Sequence, residues 1–210
     1  AGIRGYGALD NHRQMQFVCK RADRMVSCTK VMEQEIGRSY PVKNSATLYN
    51  PCNLDEINVL SREKIDEKIE AFLQKTGPTI VSMGRAHDVI KVVKLVKSKV
   101  PNIKLMIIGD GDYSAYQKLA QELGIAEQVL FTGVQMNPFA LLAKADVYAL
   151  TSDSEGFPNA LIEAMAVGLP CVSVNCKTGP AEILQNDYQQ CAAQDKVYHA
   201  DYGILTPVFY

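Results

Sequence analysis

The sequence lacks a strong net charge, a long apolar run and a clustered set of cysteines. Its 22 basic and 23 acidic residues leave a formal net charge of -1, so no global attraction to nucleic acid or to an anionic membrane is expected. No stretch approaches the roughly 18 to 20 consecutive apolar residues of a transmembrane helix, and no signal-peptide core opens the chain. These absences favour a globular protein of the cytoplasm without a nucleic-acid partner.

The 6 cysteines show neither a C-x-x-C pair nor a histidine at zinc-ligand spacing. In a chain large enough to build its own core, such cysteines are typical of buried or idle thiols in a reducing compartment. We therefore expect free thiols that take no part in the function. They are Cys19, Cys28, Cys52, Cys171, Cys176 and Cys191.

The composition is that of an ordinary folded protein, with 47% hydrophobic and 21% charged residues. A chain of 210 residues has room for one full domain and part of another. The chain begins at Ala1 rather than at a methionine, and it ends in YGILTPVFY without a closing helix. We therefore expect a fragment of a longer protein.

Buried strands and amphipathic helices alternate from residue 79 onward. Near-continuous apolar strands lie in parallel sheets that are covered on both faces, so the repeats indicate an α/β fold with a doubly wound parallel sheet. Ligands of such sheets bind beyond the carboxyl ends of the strands. The candidate binding loops therefore follow Met83, Ile108, Phe131, Leu150 and Val174. The predicted strands are TIVSM (79–83), KLMIIG (104–109), QVLFTG (128–133), DVYALTS (146–152) and CVSVN (171–175), and the predicted helices are 89–99, 113–123, 137–144, 158–167 and 179–185.

Residues 1–50 contain too little predicted sheet to stand alone. We predict that they are the C-terminal part of a preceding α/β domain and that the turn-rich stretch 50–56 is the joint. Residues 51–210 would then form a second domain that is truncated at its C-terminus. A solvated helix is predicted over 61–74, with Ser61 as its N-cap. The elements predicted before the joint are helices 10–22 and 30–37 and strands 24–29 and 45–50.

Two glutamates flank a predicted helix start in the stretch EGFPNALIE, residues 155–163. Pro158 suits the first turn of a helix, so Glu155 lies in the preceding loop and Glu163 lies about 7 to 8 Å along the helix axis. The free N–H groups of the first turn favour an anion, and carboxylates suit sugar hydroxyls, so a nucleotide sugar matches the arrangement. The spacing alone leaves open that both glutamates are solvated surface acids. The first-turn residues are Asn159, Ala160 and Leu161.

The stretch EGFPNALIEAMAVGLP resembles the E-x(7)-E motif of retaining glycosyltransferases of the GT-B fold, in particular glycosyltransferase family 4. The resemblance covers about residues 10–208 and implies a Rossmann-like donor domain, the C-terminal half of a GT-B enzyme. The further motifs that resemble the family, in its order, are NPCNLDEI (50–57), SMGR (82–85), IIGDGD (107–112), FTGV (131–134) and NCKTGPAEIL (175–184).

The resemblance implies a role for each residue of the motifs. Glu155 would bind hydroxyls of the donor sugar and act in catalysis, and Glu163 would bind the ribose. Arg85, which follows Gly84, would bind the diphosphate through its planar guanidinium and act in catalysis. The residues that would present backbone to the sugar and phosphates are Gly156, Phe157, Asn159, Ala160 and Leu161, and those beside the nucleobase are Thr132, Gly133 and Val134.

One position departs from the family pattern. Relatives usually carry a lysine about five residues after the arginine, where this sequence has Ile90. Lys91 follows one residue late and is the remaining candidate for a donor-binding cation. It also fits a solvated stripe with Lys94 and Lys97. The DGD sequence at 110–112 looks like a metal-binding D-x-D motif, but its place between a strand and a helix suits capping acids; we expect no metal and no cofactor.

Three other classes of protein stay open. GDGDYS starts like the dinucleotide motif G-x-G-x-x-G of oxidoreductases, although Ser114 replaces the third glycine and no acid closes the next strand. Paired carboxylates suit a glycosidase, although nothing in the sequence raises the pKa of either glutamate. The chain could also be a nucleotide-sugar binding fragment that is inactive alone, because the family takes its acceptor site from the N-terminal domain.

The resemblance implies a retaining, metal-independent transfer of a hexosyl group from UDP-hexose or UDP-N-acetylhexosamine to a glycan or lipid-linked acceptor. NCKTGPAEIL resembles the form found in members that build capsule, lipopolysaccharide and other surface glycans. Glu182 and the Gly179–Pro180 turn would lie near the same cleft. Such members are cytoplasmic, and many work peripherally at the inner face of the membrane.

Overall fold

The computed structural model describes residues 12–84, 87–193 and 195–208. The helices are α1 (His12–Arg21), α2 (Lys30–Ser39), α3 (Leu54–Leu60), α4 (Glu67–Leu73), α5 (His87–Val96), α6 (Ser114–Glu122), α7 (Phe139–Leu142), α8 (Asn159–Ala166) and α9 (Pro180–Leu184). The strands are β1 (Met25–Ser27), β2 (Ser45–Thr47), β3 (Thr79–Met83), β4 (Lys104–Ile108), β5 (Val129–Phe131), β6 (Val147–Leu150), β7 (Cys171–Val174), β8 (Tyr198–Ala200) and β9 (Gly203–Thr206). Short 3-10 helices lie at Ala126–Gln128 and Tyr188–Cys191.

Seven strands within the described residues form one sheet, in the order β5-β4-β3-β6-β7-β9-β8. Neighbours pair in parallel from β5 to β9, and β8 runs antiparallel to β9. The chain first builds outward from β3 through β4 to β5 and then returns to place β6 on the other side of β3. The predicted doubly wound sheet is therefore confirmed. Because the strand order reverses between β3 and β6, a ligand crevice is expected at their carboxyl ends.

Both faces of the sheet are buried because side chains of the central strands alternate between two cores. Every residue of β4, the run KLMII, is buried. Leu105 and Ile107 pack with the apolar faces of α5 and α6, whereas Met106 and Ile108 belong to the core that contains Leu161 of α8. A strand covered in this way reads as a continuous apolar run, which is why the sequence predicts it.

Residues 12–50 lie outside this sheet. β1 and β2 pair in parallel as a separate two-stranded sheet, and α2 packs against both strands. Thr29 is the N-cap of α2, and its Oγ1 accepts a hydrogen bond from the backbone N of Met32 at 3.1 Å. The predicted domain division at residue 50 stays a prediction. No helix in the described ranges is long and apolar enough to cross a membrane.

The prediction of a single helix over 61–74 was wrong. Ser61 is the C-cap of α3 rather than an N-cap, and a non-helical stretch separates α3 from α4. Asp66 supplies the real cap, since its Oδ1 accepts from the backbone N of Lys68 at 2.8 Å. The turn-rich joint predicted over 50–56 is also shorter than expected, because α3 begins inside it.

The sequence did not predict β8 and β9. β9 extends the sheet by pairing in parallel with β7, and β8 forms its antiparallel edge. β9 approaches β7 closely at Gly203, where an added Cβ would lie 2.7 Å from the backbone O of Cys171. Runs of three and four residues carry too little periodicity to be recognised.

A buried lysine ties the central sheet to α4. Lys104, the first residue of β4, is 3% exposed. Its Nζ donates to the backbone O of Leu73 at 2.5 Å and to that of Lys75 at 2.6 Å. These carbonyl groups lie at the end of α4, where backbone acceptors lack partners within the helix. Lys104 therefore holds α4 against the sheet.

We expect Lys104→Met to lower the free energy of unfolding by about 1–3 kcal/mol, because methionine keeps the apolar stem but leaves buried carbonyl groups without a donor. Urea denaturation followed by circular dichroism measures the change. Lys118→Met is the matched control, since the Lys118 side chain is 77% exposed in a surface ion pair. Equal stability of Lys104→Met and the unsubstituted protein would contradict this role.

Candidate functional site

The predicted carboxyl ends of the five strands from β3 to β7 are all confirmed. Because these strands run parallel, the loops that follow them lie along the same edge of the sheet, at the carboxyl ends of the strands. The backbone N of Gly84 donates to Ile108 O at 2.9 Å. One strand further along, the backbone N of Gly109 donates to Gly133 O at 3.1 Å. Gly84 and Gly133 have φ values of 92° and 73°, a left-handed conformation that favours glycine. This part of the edge therefore presents main chain with little side-chain cover.

The residues predicted to seat the nucleobase follow β5 at this edge. The backbone N of Thr132 donates to Ile107 O at 3.0 Å, which fixes the start of the loop to β4. Val134, two residues further on, is 65% exposed. The loop thus has a fixed beginning and an accessible end. Contact of Thr132, Gly133 and Val134 with a base stays a prediction.

Helix α8 begins at the reversal of the sheet without a side-chain cap. The sequence predicted Pro158 within the first turn of this helix, whereas in the structure Pro158 is the N-cap and the helix begins at Asn159. Among the described residues, no side-chain cap hydrogen bond forms there. The backbone N of Leu161 donates to Pro158 O at 3.0 Å, so this one of the three predicted amides already has an acceptor. Asn159 and Ala160 supply the preceding amides. A helix start of this kind attracts an anion.

Glu163 faces a pocket of about 210 Å³ between α8 and the start of α3. Cys52, Asn53 and Asn159 line the same pocket. The Glu163 side chain is half-buried, and this burial raises the pKa of its carboxyl group. The expectation that nothing raises the pKa of either glutamate was therefore wrong for Glu163. The residues that bury it are distant in sequence, so no local pattern indicated the shift.

Both glutamates act on one buried tyrosine. Tyr148 of β6 is 0% exposed. Its burial raises the pKa of the hydroxyl far above the ordinary range, and the charges of Cys171, Glu155 and Glu163 add to the effect. Both glutamates of the motif therefore contribute to the electrostatic field at this buried hydroxyl group.

The loop between β6 and α8 is held from two sides. On one side Thr178 Oγ1 donates to the backbone O of Glu155, and a Cβ added at Gly179 would lie 3.1 Å from Gly156 O. The Gly179–Pro180 turn thus lies against this loop, as predicted. On the other side a Cβ added at Gly156 would lie 3.6 Å from Cys28 Sγ. This packing leaves the loop little freedom to move.

Of the two predicted donor-binding cations, the structure describes Lys91 but not Arg85. Arg85 lies outside the described residues, so its role stays a prediction. Lys91 lies on α5, and its Nζ is 3.7 Å from Asp88 Oδ1 in a half-exposed ion pair. Such a pair contributes little to stability and favours the interpretation of Lys91 as part of a solvated stripe.

The DGD sequence acts at a helix start. Asp112 Oδ1 accepts from the backbone N of Ser114 at 2.9 Å, and this hydrogen bond lowers the pKa of the carboxyl group. Asp112 therefore bonds the first amide of α6 from outside the helix, whereas the N-cap residue is Tyr113, which makes no side-chain cap hydrogen bond. Over the ranges that the structure describes, no group of three or more His, Cys, Asp or Glu side chains could hold a metal ion.

Two residues that no sequence motif assigned to the site complete the start of α8. Asn50 Nδ2 donates to Asn159 Oδ1 at 2.8 Å. The ring of Tyr49 stacks on Phe157, with the ring centroids 5.3 Å apart. Tyr49 lies just before the predicted joint, and Asn50 is its first residue. The motif NPCNLDEI begins at Asn50, yet only the contact between distant parts of the chain reveals what its first residue does.

A doubly wound sheet with an uncapped helix start where its strand order reverses defines a Rossmann-like protein with a ligand site at the carboxyl ends of the strands. Comparison with protein families narrows this class. Residues 61–200 match the glycosyl transferases group 1. The chain belongs to this family.

Two relatives match along most of the chain. An uncharacterized glycosyltransferase of Methanocaldococcus jannaschii is 32% identical over 203 residues, which are 92% of this chain and 50% of the relative. The lipopolysaccharide 1,6-galactosyltransferase of Escherichia coli is 26% identical over 185 residues, which are 86% of this chain and 50% of the relative. The chain therefore spans about half the length of these relatives.

A solved structure confirms the fold. Anabaena HepE, crystallised in complex with UDP and glucose, matches with a TM-score of 0.69 at 19% identity, over 94% of this chain and 54% of HepE. At this identity the likeness concerns the fold alone. It confirms the predicted Rossmann-like half of a GT-B glycosyltransferase.

We expect Glu163→Gln to stabilise the protein at pH 7 and to leave its stability nearly unchanged at about pH 3.5. Burial raises the pKa of Glu163 in the folded protein above its unfolded value. The penalty for the buried charge is therefore absent below the unfolded pKa and grows as the pH rises through the folded pKa. Calorimetric melting temperatures at the two pH values measure the effect.

Glu127→Gln is the matched control for this measurement, since Glu127 is an exposed acid on a 3-10 helix. Its melting temperature should not depend on the substitution at either pH. A lower melting temperature of Glu163→Gln at pH 7 would show that the carboxylate stabilises the fold, contrary to the prediction.

Proposed function

We propose that the protein to which this chain belongs transfers a hexosyl group from a UDP-sugar to a glycan or lipid-linked acceptor in surface polysaccharide synthesis. Family membership supports the class of reaction. The lipopolysaccharide galactosyltransferase among the relatives supports a hexosyl group and a surface glycan. The complex of HepE with UDP and glucose supports a uridine nucleotide.

The observation that carries this proposal is the uncapped start of α8, which lies between Glu155 of the preceding loop and the half-buried Glu163. The diphosphate lies against the amides of Asn159 and Ala160, where the helix dipole favours negative charge. Glu163, in its pocket beside the same turn, accepts hydrogen bonds from the ribose hydroxyls. Glu155, in the loop before the helix, does the same for the donor sugar. Carboxylates suit both tasks because charge-assisted hydrogen bonds are stronger than neutral ones.

We further propose that the transfer is retaining, as in glycosyltransferase family 4, and that it needs no metal ion. When the bond between the sugar and the diphosphate breaks, negative charge develops on the leaving diphosphate. Fixed amide dipoles at the start of α8 stabilise that charge without reorganising. The acceptor hydroxyl forms the new bond, and its proton passes to the leaving diphosphate. The motif EGFPNALIE and the position of Arg85 in the sequence, two residues after Met83, support this scheme.

The described chain by itself is proposed to bind the donor without transferring the sugar. It spans about half the length of its relatives, and the family resemblance assigns the acceptor to the preceding domain. A lipid-linked acceptor would place the whole protein at the inner face of the membrane. The chain alone and the whole protein therefore share one proposed donor site, and the whole protein adds the acceptor domain that transfer requires.

Calorimetric titration of the chain with UDP, GDP and ADP tests the donor site. We expect saturable binding of UDP and weaker binding of the other two nucleotides. Glu163→Ala should lose about 1–3 kcal/mol of UDP binding free energy, because it removes a charged hydrogen-bond partner. Absence of binding by all three nucleotides, or equal UDP affinity of Glu163→Ala, would count against the proposal.

Two controls accompany the titration. Glu127→Ala removes an exposed acid just before the amino end of β5, the end of the strand opposite the predicted nucleobase loop, and should bind UDP like the unsubstituted chain. Addition of EDTA should leave the UDP affinity unchanged. A requirement for magnesium would instead assign a metal role to the DGD sequence at 110–112.

A further inference from the structure

A carboxylate of the donor domain caps a helix of the N-terminal segment. Glu182 lies on α9, and its Oε2 accepts from the backbone N of Lys30 at 2.8 Å. Its Oε1 accepts from the backbone N of Val31 at 2.9 Å. These amides belong to the first turn of α2, which has no intrahelical acceptors for them. Glu182 thus complements the cap at Thr29, whose side chain serves the next amide, that of Met32.

The same carboxylate also orients a tyrosine that touches the candidate site. Tyr49 donates from its hydroxyl group to Glu182 Oε2 at 2.9 Å. Burial and this carboxylate together raise the pKa of Tyr49, so the phenol stays protonated as a donor. The ring of Tyr49 stacks on Phe157 at an interplanar angle of 27°. Phe157 belongs to the loop that leads into α8, so Glu182 reaches the helix start through one side chain.

The residue after Tyr49 makes a second contact with α8. Asn50 Nδ2 bonds Asn159 Oδ1, and Asn159 is the first residue of that helix. Tyr49 and Asn50 therefore hold positions on both sides of Pro158. Only Tyr49 of the two is fixed by Glu182.

The other polar contacts between α2 and the donor domain are weaker. Lys177 pairs with Glu35, but the Lys177 side chain is 60% exposed. Gln34 Nε2 donates to Tyr188 Oη at 3.3 Å, a long hydrogen bond between exposed groups. Surface pairs of this kind contribute little, whereas an ionised carboxylate that accepts from three donors forms strong hydrogen bonds. Among these contacts, Glu182 is the side chain that accepts hydrogen bonds from three donors of the N-terminal segment.

We propose that Glu182 is a positioning residue for the donor site. It does not touch the donor; it holds the start of α2 and the ring of Tyr49 so that Phe157 and the first turn of α8 keep the geometry that binds the diphosphate. The contacts of Glu182 are observed in the structure, whereas their effect on donor binding rests on the proposed function. A preorganised site binds more tightly because less order has to be imposed on binding.

Amide hydrogen exchange of the chain, resolved by residue and measured without nucleotide, tests the contacts. In Glu182→Ala we expect exchange to accelerate at least about tenfold at Lys30 and Val31, which lose their acceptor. Exchange should also accelerate at Leu161, whose amide donates to Pro158 O at 3.0 Å in the first turn of α8. Unchanged exchange at Leu161 would overturn the proposal, whatever the chain binds.

UDP affinity tests the consequence. We expect Glu182→Ala to weaken UDP binding about 5- to 10-fold at a temperature where the variant remains folded. Glu182→Gln keeps one accepting oxygen and should recover part of the loss, and Tyr49→Phe, which keeps the ring, should lose less than Glu182→Ala. Lys177→Met breaks the exposed pair at the same interface and should bind UDP normally.

The outcomes separate the two proposals. If the unsubstituted chain binds no UDP, the proposed function fails, while the exchange measurement still decides whether Glu182 holds the start of α8. If UDP binds and Glu182→Ala binds it equally well, the positioning role is wrong and the proposed function stands.

Discussion

The candidate site depends on a helix that starts behind a proline. Pro158 has no side-chain acceptor, and its carbonyl group accepts from Leu161, so the amides of Asn159 and Ala160 must find partners outside the helix. The sheet topology places this turn where the strand order reverses, and the loops on either side diverge there. A negatively charged ligand with several acceptor oxygens meets both conditions. The acids, glycines and aromatic ring around the turn then hold the turn in place and recognise the groups attached to that ligand.

Helix α8 serves the core and the site at once. Leu161 and Ala164 are 0% exposed and anchor the helix against the sheet. Glu163, between them in sequence, lies on another side of the helix and faces the pocket. Burial of its charge lowers stability, as the raised pKa of its carboxyl group shows. A group that is unfavourable for folding and lies in a pocket is more readily explained by function than by structure.

The sheet and its binding edge could be predicted because their signals are local. The run LMII of β4 is apolar throughout, and a glycine follows it directly, so both the strand and its end were evident. The contacts that complete the site are not local. Lys104 holds carbonyl groups about 30 residues away in sequence, and Glu182 caps a helix that begins 152 residues earlier. A lysine in an apolar run and a glutamate on a short helix give no sign of such partners.

The two sheets lie on either side of residue 50, but residues from both sides of it contribute to the candidate site. Tyr49 and Asn50 contact the loop and the first turn of α8, and Cys28 packs against Gly156 in the same loop. The candidate site therefore includes residues from both sides of residue 50. In the proposed transfer, the acceptor must approach the sugar at a fixed distance from the leaving group. A segment tied to the first turn of α8 helps to set that distance, because Tyr49 and Asn50 couple the segment to the residues around Pro158.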